Sequence, residues 1–147
     1  MLESILSSYL ADDDSWECHW DAQNSINCQQ VQPLLPPGFW HEFLTHTGFH
    51  DWVFSSLHCV QDNSGAIHIE LELANDNKKA LLTFLHCDSL RTCGTLFPKK
   101  RLRFAQTQLL LLTFSVERGT LQAGAAFSDN CFITFSFQNL EYSIQNK

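Results

Sequence analysis

The stretch Cys131-Phe132-Ile133-Thr134-Phe135-Ser136-Phe137-Gln138-Asn139-Leu140-Glu141-Tyr142-Ser143-Ile144 carries two alternations that disagree. Cys131, Ile133, Phe135 and Phe137 share one parity, whereas Leu140, Tyr142 and Ile144 share the other. Successive strand side chains point to opposite faces, so a period-two pattern changes parity only through an extra residue. A bulge or bend at Gln138-Asn139 is predicted.

The same period recurs upstream. Residues 107–117, 120–128 and 131–137 read as a trio of strands joined at Arg118-Gly119 and Asp129-Asn130. Leu109 to Leu112 are four consecutive leucines, which predicts a strand covered on both faces. An earlier trio spans 52–60, 66–74 and 79–87, with turns at Asp62-Asn63-Ser64-Gly65 and Asn75-Asp76-Asn77. Residues 88–106, containing Pro98, read as a long connection.

Before the strands the period is helical. Leu2, Ile5, Leu6, Tyr9 and Leu10 predict a short amphipathic helix over 2–10. Residues 15–38 show no clear period and read as an irregular arm, in which Trp16 and Trp20 sit four apart. A second helix follows Pro36-Pro37-Gly38, with Phe39, Trp40, Phe43 and Leu44 inward and Gly48 as its stop. The expectation is one α+β domain over 1–147. A helical and irregular N-terminal arm (1–48) packs on an antiparallel sheet of about six strands (49–147).

Composition fits a globular chain: 44% hydrophobic and 17% charged over 147 residues. No apolar run approaches the roughly 20 residues of a bilayer span. The first residues, MLESILSSYLADDD, lack a basic start and a long apolar stretch, so a cytoplasmic location is expected and no membrane association. The six cysteines (18, 28, 59, 87, 93, 131) then read as thiols, and no C-x-x-C pair suggests zinc. No cofactor or metal is expected.

Charge is segregated. Residues 1–77 hold twelve Asp or Glu and no Lys or Arg; residues 78–147 hold four acids and nine bases. The halves carry −12 and +5, giving the net −7. Such asymmetry bears on partners and association. Either the halves neutralise each other within one domain, or an acidic surface awaits a basic partner. Asp12, Asp13, Asp14 and Glu17 interleaved with Trp16 and Trp20 have the composition of a docking surface, although the indoles could equally cap the core. Glu70 and Glu72 form a second acidic stripe with His68, opposite the apolar Ile67, Ile69, Leu71 and Leu73. One strand gives a metal no enclosing geometry, so that stripe reads as a solvated or docking face. The basic cluster Lys99, Lys100, Arg101 and Arg103 lacks stacking aromatics, and no nucleic-acid partner is expected for an acidic chain.

The stretch GFHDWVFSSLHC (48–59) concentrates reactive side chains, yet supplies no nucleophile paired with His50. Asp51 is expected to accept backbone N–H groups where the first strand begins and to hold His50, while Trp52 and Phe54 anchor the core. The chain contains no G-x-S-x-G, phosphate loop, H-E-x-x-H or dinucleotide fingerprint, so a non-enzymatic role is expected.

Phe49-His50-Asp51 leading a first strand, a hairpin over Asp62 to Leu73, and the closing FITFSFQNL of residues 132–140 resemble a group of small bacterial immunity-protein domains. The resemblance covers roughly 49–144, with Phe49, His50 and Asp51 as its signature. It implies a protein that binds a cognate toxin and blocks it, the toxin being basic if it meets the acidic half. The alternative expectation is a small homodimeric secretion-chaperone or assembly module, motivated by the opposite charge of the halves.

Overall fold

The computed structural model describes residues 2–11, 29–93 and 107–147. Helix α1 spans Leu2–Ala11 and α2 spans Phe39–Thr45. The strands are β1 (Val53–Gln61), β2 (Ile67–Ala74), β3 (Lys78–Leu85), β4 (Asp88–Cys93), β5 (Leu109–Glu117), β6 (Thr120–Phe127), β7 (Cys131–Phe137) and β8 (Asn139–Asn146). They form two antiparallel four-stranded sheets, ordered β1-β2-β3-β8 and β4-β7-β6-β5.

This corrects the single six-stranded sheet read from the sequence. Two of those six strands bend and serve both sheets. β3 continues into β4 and β7 into β8, pairing as β3–β8 (Leu85↔Asn139) before the corner and as β4–β7 (Asp88↔Ser136) beyond it. Gln138 N–H donates to Leu85 O at 2.9 Å, so the two chains turn together. His86 (φ 53°) and Ser89 (φ 56°) adopt the left-handed region at this bend. The parity change follows. Cys131, Ile133, Phe135 and Phe137 face the core from the second sheet, and Leu140 is buried against it from the first, with Tyr142 and Ile144 packed alongside.

Residues 88–93 were expected to be connection and instead form β4. All six of its residues are exposed, so apolar alternation gives no sign of a strand that backbone pairing to β7 creates. Residues 94–106 lie outside the described residues.

At the other end the sheets are stitched through the starts of β1 and β5. Val53 bridges Gln108, Leu109 N–H donates to Trp52 O at 2.9 Å and Phe54 N–H to Thr107 O at 2.8 Å. The leucine run is covered on both faces as expected. A register shift between Leu109 and Leu111 sends Leu109 and Leu112 to the main core, while Leu111 joins Leu6, Ala126 and Phe132 beneath α1.

Helix α2 buries Phe39, Trp40 and Phe43, and Phe43 meets Phe114 edge-on at 5.6 Å. Leu44 was expected inward but is 40% exposed, because it flanks that stripe one residue before the helix ends. The helix closes at His46, and Gly48 (φ 63°) serves the tight turn Thr47–Phe49 that follows.

Candidate partner interface

The signature Phe49-His50-Asp51 forms a structural corner. Thr47, Phe49 and Asp51 all have positive φ (51°, 60° and 67°). A bulky residue pays for that conformation with strain, and here burial holds it. Phe49 is fully buried, with ring contacts to Trp52 at 5.0 Å and Phe43 at 6.0 Å. Asp51 uses its backbone N–H, donating to Leu109 O at 2.8 Å, to close the junction with β5. Its carboxylate meets His50 Nδ1 at 3.2 Å rather than the backbone N–H groups expected from the sequence. Burial pushes the His50 pKa down, against the opposing pull of the Asp51 charge and hydrogen bond. Trp52 and Phe54 are core anchors as expected.

The first sheet presents a different surface. Its inner positions Ile69, Leu71, Leu73, Ala80, Leu82 and Phe84 are buried, which turns the alternate positions outward. Register aligns them in rows across the sheet. His58 faces Glu70, Glu70 faces Thr83, and Thr83 faces Glu141; the next row runs Ser56, Glu72, Leu81, Ser143. Among the described residues no helix packs on this face, since α1 contacts β5, β6 and β7.

The acidic residues of this face differ in availability. Lys79 Nζ pairs with Glu72 Oε1, and Ser56 Oγ donates to Glu72 Oε2 at 3.3 Å. The Lys79 ammonium, with help from Ser56, holds the Glu72 pKa below the ordinary carboxylate value. Glu70 is half-buried and Glu141 exposed, and neither is ion-paired to a described residue. Glu141 was missed in the sequence. Its outward parity was legible from Leu140, Tyr142 and Ile144, but not its place two strands from Glu70.

His68 shares that parity but serves the hairpin. Its Nδ1 accepts the His86 backbone N–H at 3.2 Å, so the neutral ring carries its proton on Nε2, which donates to Asp62 Oδ2 at 2.8 Å. Asp62 also accepts Ser64 N–H, Ser64 Oγ–H and Ala66 N–H, at 2.8, 2.6 and 3.1 Å. These donors, the Ser64 hydroxyl foremost and then His68, hold its carboxyl well below the usual range. The stripe His68, Glu70, Glu72 is thus divided: His68 fixes a turn, Glu72 an ion pair, and Glu70 faces outward.

Other chemistry is sparse among the described residues. Burial pushes the Cys87 and Cys131 thiols up to about 11, so both stay protonated at neutral pH. A cavity of about 490 Å³ beside α1 is polar, with Glu3 and Arg91 ion-paired at 3.5 Å across it, and unites none of the residues singled out above. Asp12, Asp13, Asp14, Trp16, Glu17 and Trp20 lie outside the described residues, as do Lys99, Lys100, Arg101 and Arg103. No protein-family model matches the chain, and no curated protein matches it.

Proposed function

We propose that this chain is a non-enzymatic binding protein, an immunity protein of bacterial type that neutralises a basic cognate toxin by docking it. The observation that carries the reading is the outer face of the first sheet, uncovered among the described residues and bearing Glu70 and Glu141 in one cross-sheet row. Glu70 and Glu141, which pair with no cation among the described residues, can steer and complement a basic surface, whereas Glu72 is already neutralised by Lys79. The signature Phe49-His50-Asp51, on which the resemblance to immunity-protein domains rests, forms a corner of the fold. A second docking surface at Asp12, Asp13, Asp14 and Glu17, anchored by Trp16 and Trp20, belongs to the same reading.

Co-expression with the product of the adjacent gene tests it. Protection of the host and recovery of a one-to-one complex are expected. Failure to protect against, or bind, any neighbouring toxin candidate sinks the reading. Reversing Asp12, Asp13 and Asp14 to lysine then separates the two surfaces: slower association at low salt places the N-terminal arm in the contact.

A further inference from the structure

We infer that the edge of β1 left unpaired among the described residues is a self-association site, where two copies pair β1 against β1 antiparallel and merge their first sheets into one. The start of β1 is occupied by Thr107–Leu109, but from Ser55 to Gln61 its backbone pairs, among the described residues, with β2 alone. An unpaired row of N–H and C=O groups is a template for another strand, and proteins usually blunt such rows with charge, proline or bulges. β4, the corresponding edge of the second sheet, carries Asp88, Arg91 and a register shift between them. β8 carries Glu141. Ser55–Gln61 contains no Lys, Arg, Asp, Glu, Pro or Gly, and its one irregularity, between Phe54 and Ser56, lies at its beginning.

The same end of the hairpin leaves apolar surface uncovered. Val60 is 42% exposed and Ile67 46%, and Cys59 is exposed too. Pairing with a second copy covers part of that surface.

An identical strand meets no charge penalty as occupant. Antiparallel self-pairing is penalised when like charges come opposite one another, and residues 55–61 carry none. Glu70 and Glu72 stand one strand in from the edge. Across the seam their strands are three spacings apart, about 14 Å. That exceeds the roughly 8 Å screening length at physiological salt. A two-fold axis uses the β1 edge of both copies and closes the assembly, so no fibre results. The merged sheet carries the Glu70–Glu141 row twice. Self-association does not depend on the toxin-binding reading, and the following test needs no toxin.

Sedimentation velocity from about 5 to about 200 µM, with concentration-dependent amide exchange, tests it on the full chain. The wild type should move toward twice the monomer mass, with amides 55–61 exchanging more slowly as concentration rises. Val60→Lys and Cys59→Lys, both at exposed positions, should stay monomeric throughout while keeping wild-type circular dichroism. A monomer at the highest concentration overturns the proposal. In that case amides protected at every concentration assign the edge to other residues of the same chain, and unprotected amides leave it to a foreign strand. A dimer that both lysine variants retain also overturns it.

Discussion

At Gly124 an added Cβ would stand 2.9 Å from Leu6 Cδ1 and 3.5 Å from Leu2 Cδ1. The bare backbone there lets α1 lie on the second sheet. Gly124→Ala should therefore cost about 1–3 kcal/mol by overpacking. Combining it with Leu6→Ala should cost less than the two single changes together, because the clash is then removed. Additive losses in urea melts would place α1 elsewhere. Nearby, the Thr113 hydroxyl is fully buried without a hydrogen-bond partner among the described residues. Thr113→Val should raise stability by about 1 kcal/mol, since an orphaned buried polar atom is removed at similar shape. An unchanged or lower melting temperature would show that the hydroxyl is satisfied. His50 gives a pH dependence. Its folded pKa lies below its ordinary 6.5, so the unfolded chain binds the proton first as pH falls. The stability it contributes is complete above about pH 6.5 and declines as pH drops through the folded value. His50→Gln should flatten that decline in melts taken between about pH 7.5 and 5; an equal decline in the variant would assign it to another group.

Among the elements, the corner at Gln138 shows how far the sequence could be read. The clash of parities between Phe137 and Leu140 located the bend to Gln138-Asn139, because burial enforces period two on both sides. What the bend does was not legible. A sheet change and a bulge demand the same extra residue, and only the parallel turn of β3 into β4 distinguishes them. β4 was invisible because it is held by backbone pairing and buries no side chain. The hairpin β1–β2 was legible from its turn residues, since Asp62 is an acceptor that organises three donors around one loop. Deleting Gln138 should turn Leu140, Tyr142 and Ile144 to solvent and abolish cooperative unfolding. A cooperative melt with native near-ultraviolet dichroism would mean that the corner tolerates either parity.

For the whole molecule, the charge division along the chain does not divide the fold. The acidic half supplies β1 and β2 of the first sheet, while β3 and β8 come from the basic half. One consequence is local neutralisation, as Lys79 captures Glu72. The other is the row Glu70–Thr83–Glu141, which joins carboxylates from both halves on a face uncovered among the described residues. Composition exposed the asymmetry but not this row, because the pairing of β3 with β8 links residues far apart in sequence. The claim that this face docks a basic partner meets its most direct test in stopped-flow association with the toxin recovered by co-expression. Glu70→Lys with Glu141→Lys should slow association at least tenfold at low salt, an effect that shrinks toward physiological ionic strength, while Glu72→Gln changes it little. An association rate for the double variant equal to wild type at low salt would contradict the account.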